Sequence, residues 1–492
     1  MLRLLMLCAA TALAAASAHA QFSTYQAFRD SLDAVVAIQD SGERSERLGV
    51  FLDSLAAQDQ LPFKLGSQAA FLYRGSGNQV RVAGDFNRWN PAAGPATRLG
   101  SSDVWIREET FPADARLDYK FVIGSSQWIL DPRNPHRQRG GFGDNSELRM
   151  PDYEPSPWVT SWAWVNGGSY TSGRSLSSTH LGYSVTYRVY TPAGYDASGT
   201  ALPTIYVTDG HEYADNAVGS MRIVLDNLIH EGLIQPVIAV FVDPRVGGQN
   251  RRGEQYVENP DFAAFLAEEL VPEIDGSYNT LTGAGSRGIL GTSLGGLNSA
   301  YVGATHPDVF GLIGIQSPAF HAGSTIYSLY RDQPTRDLRI HMTWGTIFDV
   351  GTAGEQMETI LRDKGYPFET VVLNEGHSWG SWRALLDDVL IYFFEAGSTD
   401  VAHRDEIPER RGLTVFPNPA SGASTIVFAL PGTEAAVVEV FDMIGRLVAV
   451  PVRGVLPAGQ HRVDWRPPAA PGIYAIRLQV AGSSHIVLQT VR

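Results

Sequence analysis

The stretch Arg287-Gly288-Ile289-Leu290-Gly291-Thr292-Ser293-Leu294-Gly295-Gly296 predicts a short buried strand, a tight turn and the first turn of a helix. A serine on such a turn is strained and exposed at the carboxyl edge of a sheet. The glycines two residues on either side let the flanking backbones approach without a Cβ clash. The arrangement therefore predicts that Ser293 is a nucleophile.

A second stretch with the same G-x-S-x-G pattern, Gly376-His377-Ser378-Trp379-Gly380, competes for this role. An α/β-hydrolase places an acid and then a histidine after its nucleophile in the chain. Ser378 is followed by little more than one helix, whereas Ser293 is followed by two further predicted strands that end near Asp349 and His377. We therefore interpret Ser293 as the nucleophile and the second match as the loop that carries the histidine.

The predicted triad has an explicit chemistry. A serine hydroxyl becomes a good nucleophile when a histidine removes its proton, and a carboxylate holds that imidazole in the required tautomer. Taken alone, Asp349 is better explained as a helix N-cap and His377 as an ordinary loop histidine. Their joint position at the ends of consecutive strands after the turn favours a Ser293-His377-Asp349 triad.

The oxyanion hole of such a site uses the amide after the nucleophile, here Leu294, and a second amide from the loop after an earlier strand. The turn Thr208-Asp209-Gly210-His211 follows a predicted strand. Because glycine permits close backbone approach, we expect the second amide at Gly210 or His211, and a structural role for Asp209.

The 492 residues are too many for one core, and the first 20 have the features of a cleaved secretory signal, with an apolar run and a small-residue end at Ala18-His19-Ala20. The only cysteine, Cys8, lies inside that segment. The mature chain is therefore predicted to have no disulfide, no thiol nucleophile and no cysteine metal site. The sequence also shows no other metal-binding motif, and no cofactor is expected. A net charge of −14 argues against nucleic acid as a partner, and no other stretch is apolar enough for a transmembrane segment.

The chain divides by composition and periodicity into seven predicted segments. They are a signal peptide (1–20), a helical segment (21–62), a β-sandwich (63–155), a linker (156–175), an α/β domain (176–398), a second linker (399–411) and a strand-rich terminal domain (412–492).

Residues 176–398 resemble the putative-esterase family, which includes feruloyl, acetyl-xylan and enterochelin-type esterases and mycolyltransferases. Five features besides the Ser293 turn carry the resemblance: Val189-Tyr190-Thr191-Pro192, Asp209-Gly210, Arg251-x-x-Glu254, Glu269-Leu270-Val271-Pro272 and Gly376-His377-Ser378-Trp379. The resemblance implies an α/β-hydrolase acting on carboxylic esters, with Ser293, Asp349 and His377 in the triad positions.

Residues 63–155 resemble the glycogen-binding type of carbohydrate-binding module, through Gly84-Asp85-Phe86-Asn87-Arg88-Trp89, Tyr119-Lys120-Phe121, Gln127-Trp128-Ile129 and Asp144-Asn145-Ser146. The resemblance implies an immunoglobulin-like fold with sugar-contacting positions at Trp89, Lys120, Trp128 and Asn145. The alternative is that these residues belong to the core, to loops or to the wall of the active site.

Residues 412–492 resemble the sorting domain of type IX secretion, through Phe416-Pro417-Asn418-Pro419, Val440-Phe441-Asp442 and Pro471-Gly472-Ile473-Tyr474. The expected architecture is multidomain: an α/β-hydrolase catalytic domain flanked by an N-terminal immunoglobulin-like β-sandwich and a C-terminal β-sandwich sorting domain. The expected localisation is secreted or cell surface via the periplasm, with the type IX secretion machinery as a partner.

The expected function is that of a secreted serine esterase removing feruloyl or acetyl groups from polysaccharides. Two alternatives stay open. One is a siderophore esterase or acyltransferase on the same triad, and the other is a non-catalytic glycan-binding surface protein.

Overall fold

The computed structural model describes residues 22–396 and, beyond them, 414–416, 424–430, 433–442, 446–457, 459–466, 472–480 and 483–491. The predicted signal peptide and the linker 399–411 lie outside these residues. The chain forms two compact units that divide between residues 398 and 399. Within the described residues, no helix is both long and apolar enough to cross a membrane.

The first unit begins with helices α1 (Tyr25–Val36) and α2 (Ser41–Ala57). The side chains of Thr24 and Asp40 cap them by accepting the backbone N–H groups of Ala27 and Glu43. The apolar faces of both helices are buried against the sheet that follows. They therefore form one layer on the outer face of that sheet.

Two antiparallel sheets follow, ordered β1-β2-β5-β4 and β3-β6-β9-β8, with β7 paired to β6. Strand β2 is buried on both faces, since Ala69 and Phe71 face the core between the sheets while Ala70 and Leu72 face α1 and α2. The strands are β1 (Phe63–Leu65), β2 (Gln68–Arg74), β3 (Val80–Gly84), β4 (Thr97–Arg98), β5 (Val104–Thr110), β6 (Arg116–Ile123), β7 (Gln127–Ile129), β8 (Arg137–Gly140) and β9 (Gly143–Arg149).

A nine-stranded sheet, ordered β10-β12-β14-β13-β17-β18-β19-β20 with β11 paired to β12, organises residues 169–373. Its strands are β10 (Ser169–Tyr170), β11 (Arg174–Ser177), β12 (Ser184–Thr191), β13 (Thr204–Val207), β14 (Ile238–Asp243), β17 (Arg287–Thr292), β18 (Leu312–Gln316), β19 (Arg339–Gly345) and β20 (Phe368–Leu373). A separate hairpin joins β15 (Arg245–Val246) to β16 (Gln249–Asn250). The predicted linker 156–175 thus supplies β10 and the start of β11.

The strands from β14 to β20 in this order run parallel, and helices cover both faces of the sheet. Strands buried in this way are apolar throughout, which explains the continuous hydrophobic runs in the sequence. The helices are α3 (Gly210–Tyr213), α4 (Met221–His230), α5 (Arg252–Tyr256), α6 (Pro260–Ala264), α7 (Val271–Ser277), α8 (Leu294–Thr305), α9 (Ile326–Arg331), α10 (Thr352–Lys364), α11 (Trp379–Ala384) and α12 (Leu386–Phe394), with a π-helical turn at Phe265–Leu270.

The described residues of the second unit include strands in two sheets, ordered β21-β22-β25 and β24-β23-β26-β27. Side chains from both sheets, such as Phe428 and Leu478, share one core. The strands are β21 (Thr414–Phe416), β22 (Ser424–Leu430), β23 (Glu434–Asp442), β24 (Leu447–Leu456), β25 (Gly459–Trp465), β26 (Gly472–Val480) and β27 (Ser483–Val491).

Candidate active site

Ser293 lies at the turn between β17 and α8, with φ of 59° and ψ of −118°. A non-glycine residue in this region is strained by about 1–3 kcal/mol, which the surrounding packing must offset. A Cβ atom on Gly291 would lie 2.4 Å from the carbonyl carbon of Gly295, and one on Gly295 would lie 2.5 Å from Oγ1 of Thr208. Both glycines are therefore required for the turn to close.

The three residues predicted from chain order lie together at the carboxyl edge of the sheet. Nε2 of His377 is 3.0 Å from Oγ of Ser293, and Nδ1 of His377 is 2.6 Å from Oδ1 of Asp349. The imidazole is 38% exposed, whereas the carboxylate is fully buried. The imidazole packs perpendicular to the ring of Trp382, with centroids 4.9 Å apart. The arrangement is an unbroken hydrogen-bond path from a buried carboxylate to a partly exposed serine.

The other oxygen of Asp349 is held by two donors. Oδ2 accepts the N–H of Gly345 and the hydroxyl of Ser317, both at 2.7 Å. The Ser317 hydroxyl in turn accepts the indole N–H of Trp382 at 2.8 Å. Ser317 and Trp382 were not predicted from the sequence. The only signal for Ser317 is its position directly after β18, where the carboxyl ends of neighbouring parallel strands meet.

Ser378, the serine of the second G-x-S-x-G match, has a different environment. It is buried, adopts the extended conformation with φ of −147°, and precedes α11. Its hydroxyl accepts a hydrogen bond from Nη1 of Arg116 at 2.9 Å. It therefore lacks both the positive φ and the partial exposure of Ser293.

The amides predicted for the oxyanion hole lie at two helix starts. Leu294 is the first residue of α8, where backbone N–H groups have no acceptor within the helix. Gly210 begins α3, directly after Asp209 with φ of 51°. A Cβ atom on Gly210 would lie 2.3 Å from the carbonyl carbon of Phe241, so only glycine fits there.

Arg252 links the turn at Asp209 to the turn at Ser293, a role that was not predicted from the sequence. Its Nε donates to Oδ1 of Asp209 at 2.7 Å, and Nη2 donates to the carbonyl of Thr292 at 3.3 Å. Asp209 is fully buried, and its N–H donates to the hydroxyl of Tyr256. This fits the structural role expected for Asp209.

Two titratable side chains border the Gly210 turn. Burial lowers the pKa of His211 to about 4, against the opposing effect of Asp243, so the imidazole is neutral at pH 7. Burial, reinforced by the charge of Asp209, raises the pKa of Glu212 to about 7. The neutral imidazole of His211 therefore adds no full positive charge near the Gly210 and His211 amides.

The predicted sugar-contacting residues lie on the sandwich. The rings of Trp89 and Trp128 stack with centroids 6.4 Å apart, and Trp128 is 43% exposed. Trp89 and Lys120 are partly buried, and the Trp89 indole N–H donates to Asp85 at 3.0 Å. The side-chain amide of Asn145 donates to the buried carboxylate of Asp118 at 3.0 Å. The structure thus brings the tryptophans together but uses the Asn145 amide within the sandwich.

The same surface of the sandwich reaches the loops of the candidate site. The Arg88 guanidinium lies 5.2 Å from the centre of the Phe348 ring, next to Asp349 in the chain. Among the residues that the structure describes, no group of three or more His, Cys, Asp or Glu side chains is arranged to hold a metal ion.

Residues 178–393 match the "Putative esterase" family, and residues 414–489 match the "Secretion system C-terminal sorting domain" family. The uncharacterized protein YjcH of Bacillus subtilis is 27% identical over 230 residues, which are 44% of this chain and 94% of YjcH. An endo-1,4-beta-xylanase/feruloyl esterase of Xylanibacter ruminicola is 28% identical over 316 residues, which are 61% of this chain and 42% of that protein.

Among solved structures, the enterobactin esterase FES of Shigella flexneri aligns with a TM-score of 0.55 at 21% identity, over 66% of this chain and 92% of its own. This likeness concerns the fold. The esterase match makes residues 178–393 a carboxylic ester hydrolase domain, and the sorting domain makes the protein secreted or cell-surface located.

Proposed function

We propose that this protein is a secreted serine esterase that removes feruloyl or acetyl groups from polysaccharides through an acyl-enzyme. The observation that carries the proposal is the path from Asp349 through His377 to Ser293, with 2.6 and 3.0 Å between the hydrogen-bonded atoms. These distances lie within hydrogen-bond reach for a nucleophile, its base and the residue that orients the base.

In the first half-reaction, Nε2 of His377 takes the proton of Ser293 while Oγ attacks the ester carbonyl carbon. Asp349 keeps the proton of the imidazole on Nδ1 and stabilises the imidazolium that forms. The imidazolium then gives its proton to the departing sugar oxygen, which leaves the acyl group on Ser293. Water attacks this acyl-enzyme with His377 again as base, releasing the carboxylic acid.

We assign the oxyanion hole to the N–H of Leu294 and to that of Gly210 or His211. The negative charge on the carbonyl oxygen develops only in the transition state, so donors fixed in advance by the two turns accelerate the reaction. The buried contacts of Gly210 and the bridge made by Arg252 support this assignment, since they hold both turns in place.

The polysaccharide is proposed on two grounds. The export signals favour a substrate outside the cell, and the relative from Xylanibacter ruminicola combines xylanase and feruloyl esterase in its name. We further propose that residues 63–155 are an immunoglobulin-like carbohydrate-binding module of the glycogen-binding type, and that residues 1–20 are a signal peptide used before type IX transport.

The alternative of a siderophore esterase is favoured by the fold likeness to an enterobactin esterase. A panel of methyl ferulate, acetylated xylan and a catecholate siderophore separates the two functions, because we expect turnover of the first two and none of the third. A fluorophosphonate that labels Ser293 would exclude the non-catalytic glycan-binding protein, whereas an unlabelled protein would contradict the proposed enzyme.

We expect hydrolysis to survive EDTA and thiol-blocking reagents. The proposed mechanism uses neither a metal ion nor a thiol, and the only cysteine lies in the predicted signal peptide. Initial rates with p-nitrophenyl acetate before and after treatment test this. Activity that EDTA abolishes and zinc or calcium restores would contradict a mechanism based on serine alone.

The double change Trp89→Ala/Trp128→Ala should reduce acyl release from intact polymer and leave p-nitrophenyl acetate hydrolysis unchanged. Each ring could contribute about 1–3 kcal/mol of apolar contact with a sugar, much of which ordering and desolvation offset, so binding should be in the micromolar to millimolar range. Weak tethering still raises the local concentration of the esterase on an insoluble chain.

The matched control is Trp164→Ala, which removes an exposed tryptophan outside the sandwich (68% exposed) and should change neither activity. If both activities fall together in the double variant, the tryptophans support the active site instead. If neither falls, the tryptophan pair does not bind the polymer.

A further inference from the structure

Arg116, on β6 of the sandwich, lies in a buried contact with the loop that carries His377. We call Glu375–Ser378 the histidine loop. The fully buried guanidinium donates to Ser378 Oγ at 2.9 Å through Nη1, which also lies 3.5 Å from Oε2 of Glu375. Arg116 and Ser378 are 262 positions apart in the chain. One side chain of the sandwich therefore contacts both ends of the loop.

The sandwich side holds the guanidinium in place. Nε of Arg116 donates to Oε1 of Glu147 at 2.6 Å, and Nη2 donates to Oδ1 of Asp118 at 2.5 Å. The second oxygen of Glu147 accepts a hydrogen bond from Arg149, and the second oxygen of Asp118 accepts one from Asn145. Because every nitrogen of the guanidinium has a partner, its planar fork is fixed in one orientation.

Backbone contacts reinforce the link. The N–H of Arg116 donates to the carbonyl of Asn374 at 3.3 Å, and the Asn374 side-chain amide donates to Asp114 at 2.8 Å. The histidine loop is therefore attached to the sandwich through main chain as well as side chain, directly before Glu375.

Two glycines show how closely the surfaces approach. A Cβ atom on Gly376 would lie 2.4 Å from Cβ of Asp85, and one on Gly380 would lie 2.0 Å from Cζ of Arg116. Such distances are shorter than any van der Waals contact, so His377 is flanked on both sides by backbone that touches the sandwich.

The charges make Arg116 hard to replace. Asp85, Asp118, Glu147 and Glu375 are all buried around Arg116, and of these four only Glu147 is also paired with a second arginine, Arg149. Burial raises the pKa of Glu375 to about 7 although Arg116 opposes the shift. Removing the guanidinium leaves Glu147 with Arg149 but takes away the buried positive charge beside Asp118 and Glu375. These carboxylates would then repel one another or take up protons, and the loop would move.

We infer that Arg116 is a positioning residue for His377, so that the sandwich is part of the catalytic unit. The inference rests on the proposed function, in which His377 is the base. A displacement of about 1 Å at a reacting group can reduce the rate 100-fold. Arg116 holds Ser378, the residue directly after His377, so a change at Arg116 can displace the imidazole.

The test measures kcat and KM for p-nitrophenyl acetate in Arg116→Met, Ser378→Ala and the double variant. A loosened base should lower kcat about 100-fold in Arg116→Met with little change in KM. Ser378→Ala loses one hydrogen bond and should lower kcat less than about tenfold. In the double variant the second change should add nothing, because the bond it removes is already lost.

The matched control is Arg287→Met. Arg287 is also buried and paired with a carboxylate, Asp275 at 2.8 Å, but it lies at the amino end of β17, away from the histidine loop. The Arg287→Met change should lower thermal stability and leave kcat of the folded protein unchanged. Circular dichroism and melting curves establish that each variant is folded at the assay temperature.

Wild-type kcat in folded Arg116→Met, or effects that multiply in the double variant, would overturn the inference. An inactive Ser293→Ala in the same assay would leave the proposed function intact, whereas an active one would overturn the function itself. If Arg116→Met does not fold, Ser378→Ala and Ser378→Thr decide. A loss of kcat in Ser378→Ala that the hydroxyl of Thr restores supports positioning, and equal wild-type kcat in both excludes it.

Discussion

Replacing Ser293 by alanine should abolish ester turnover, with kcat falling on the order of 10⁶-fold, and His377→Ala should cost nearly as much. The hydroxyl of Ser293 and Nε2 of His377 are 3.0 Å apart and would act as one unit. Loss of either removes the whole covalent route, so the double variant should be scarcely slower than either single variant. Initial rates with p-nitrophenyl acetate and labelling by a fluorophosphonate measure the effect.

Ser378→Ala is the control, because Ser378 occupies the same G-x-S-x-G pattern in the same domain. Its hydroxyl accepts a hydrogen bond from Arg116 instead of contacting the imidazole, so the variant should retain substantial activity and be labelled. Full activity in Ser293→Ala together with an inactive Ser378→Ala would reverse the assignment. Circular dichroism of all variants excludes unfolding as the cause.

Chain order was enough to select Ser293, Asp349 and His377 from the sequence. Parallel strands end at one edge of a sheet, so residues that follow successive strands meet there without any further information. The structure brings the three side chains within hydrogen-bond distance. The turn at Ser293 could be recognised because its close backbone contacts require glycine at positions 291 and 295, and those glycines are visible in the sequence.

Contacts between segments far apart in the chain are not indicated by any motif in the sequence. Arg116 is the first residue of β6 and resembles any strand-end arginine, although it is fully buried and bonded to a residue 262 positions away. Ser317 and Trp382 complete the environment of Asp349 and follow no motif. Sequence periodicity shows which residues are buried but not which element covers them, so these partners could not be predicted.

The predicted boundary between the sandwich and the α/β domain is the clearest case in which periodicity showed the elements but not the contacts between them. Composition and periodicity separate a sandwich from an α/β domain near residue 156, whereas the contacts join the described residues 22–396 into one unit. The joining surface contains charged side chains such as Arg116, Asp118 and Glu375, which a sequence analysis assigns to solvent. A polar, buried contact of this kind suits an invariant arrangement of two domains, since its groups need fixed partners.

Asp349→Asn should reduce kcat about 10⁴-fold, less than the loss of Ser293 but still severe. Oδ2 of Asp349 accepts two hydrogen bonds, from the N–H of Gly345 and the hydroxyl of Ser317. An asparagine must therefore place its carbonyl oxygen at that position. Its NH₂ group would then face Nδ1 of His377 and donate to it. The imidazole would carry its proton on Nε2 and could not accept the proton of Ser293.

Comparison with Asp349→Ala tests this explanation. Alanine leaves Nδ1 free to keep its proton toward water, so on folded protein Asp349→Asn should be at least as slow as Asp349→Ala, although asparagine preserves the shape of the site better. A kcat within about tenfold of wild type in Asp349→Asn would contradict the role of the carboxylate. A clearly faster Asp349→Asn than Asp349→Ala would show that the two donors to Oδ2 do not set the orientation of the amide, and with it the tautomer of His377.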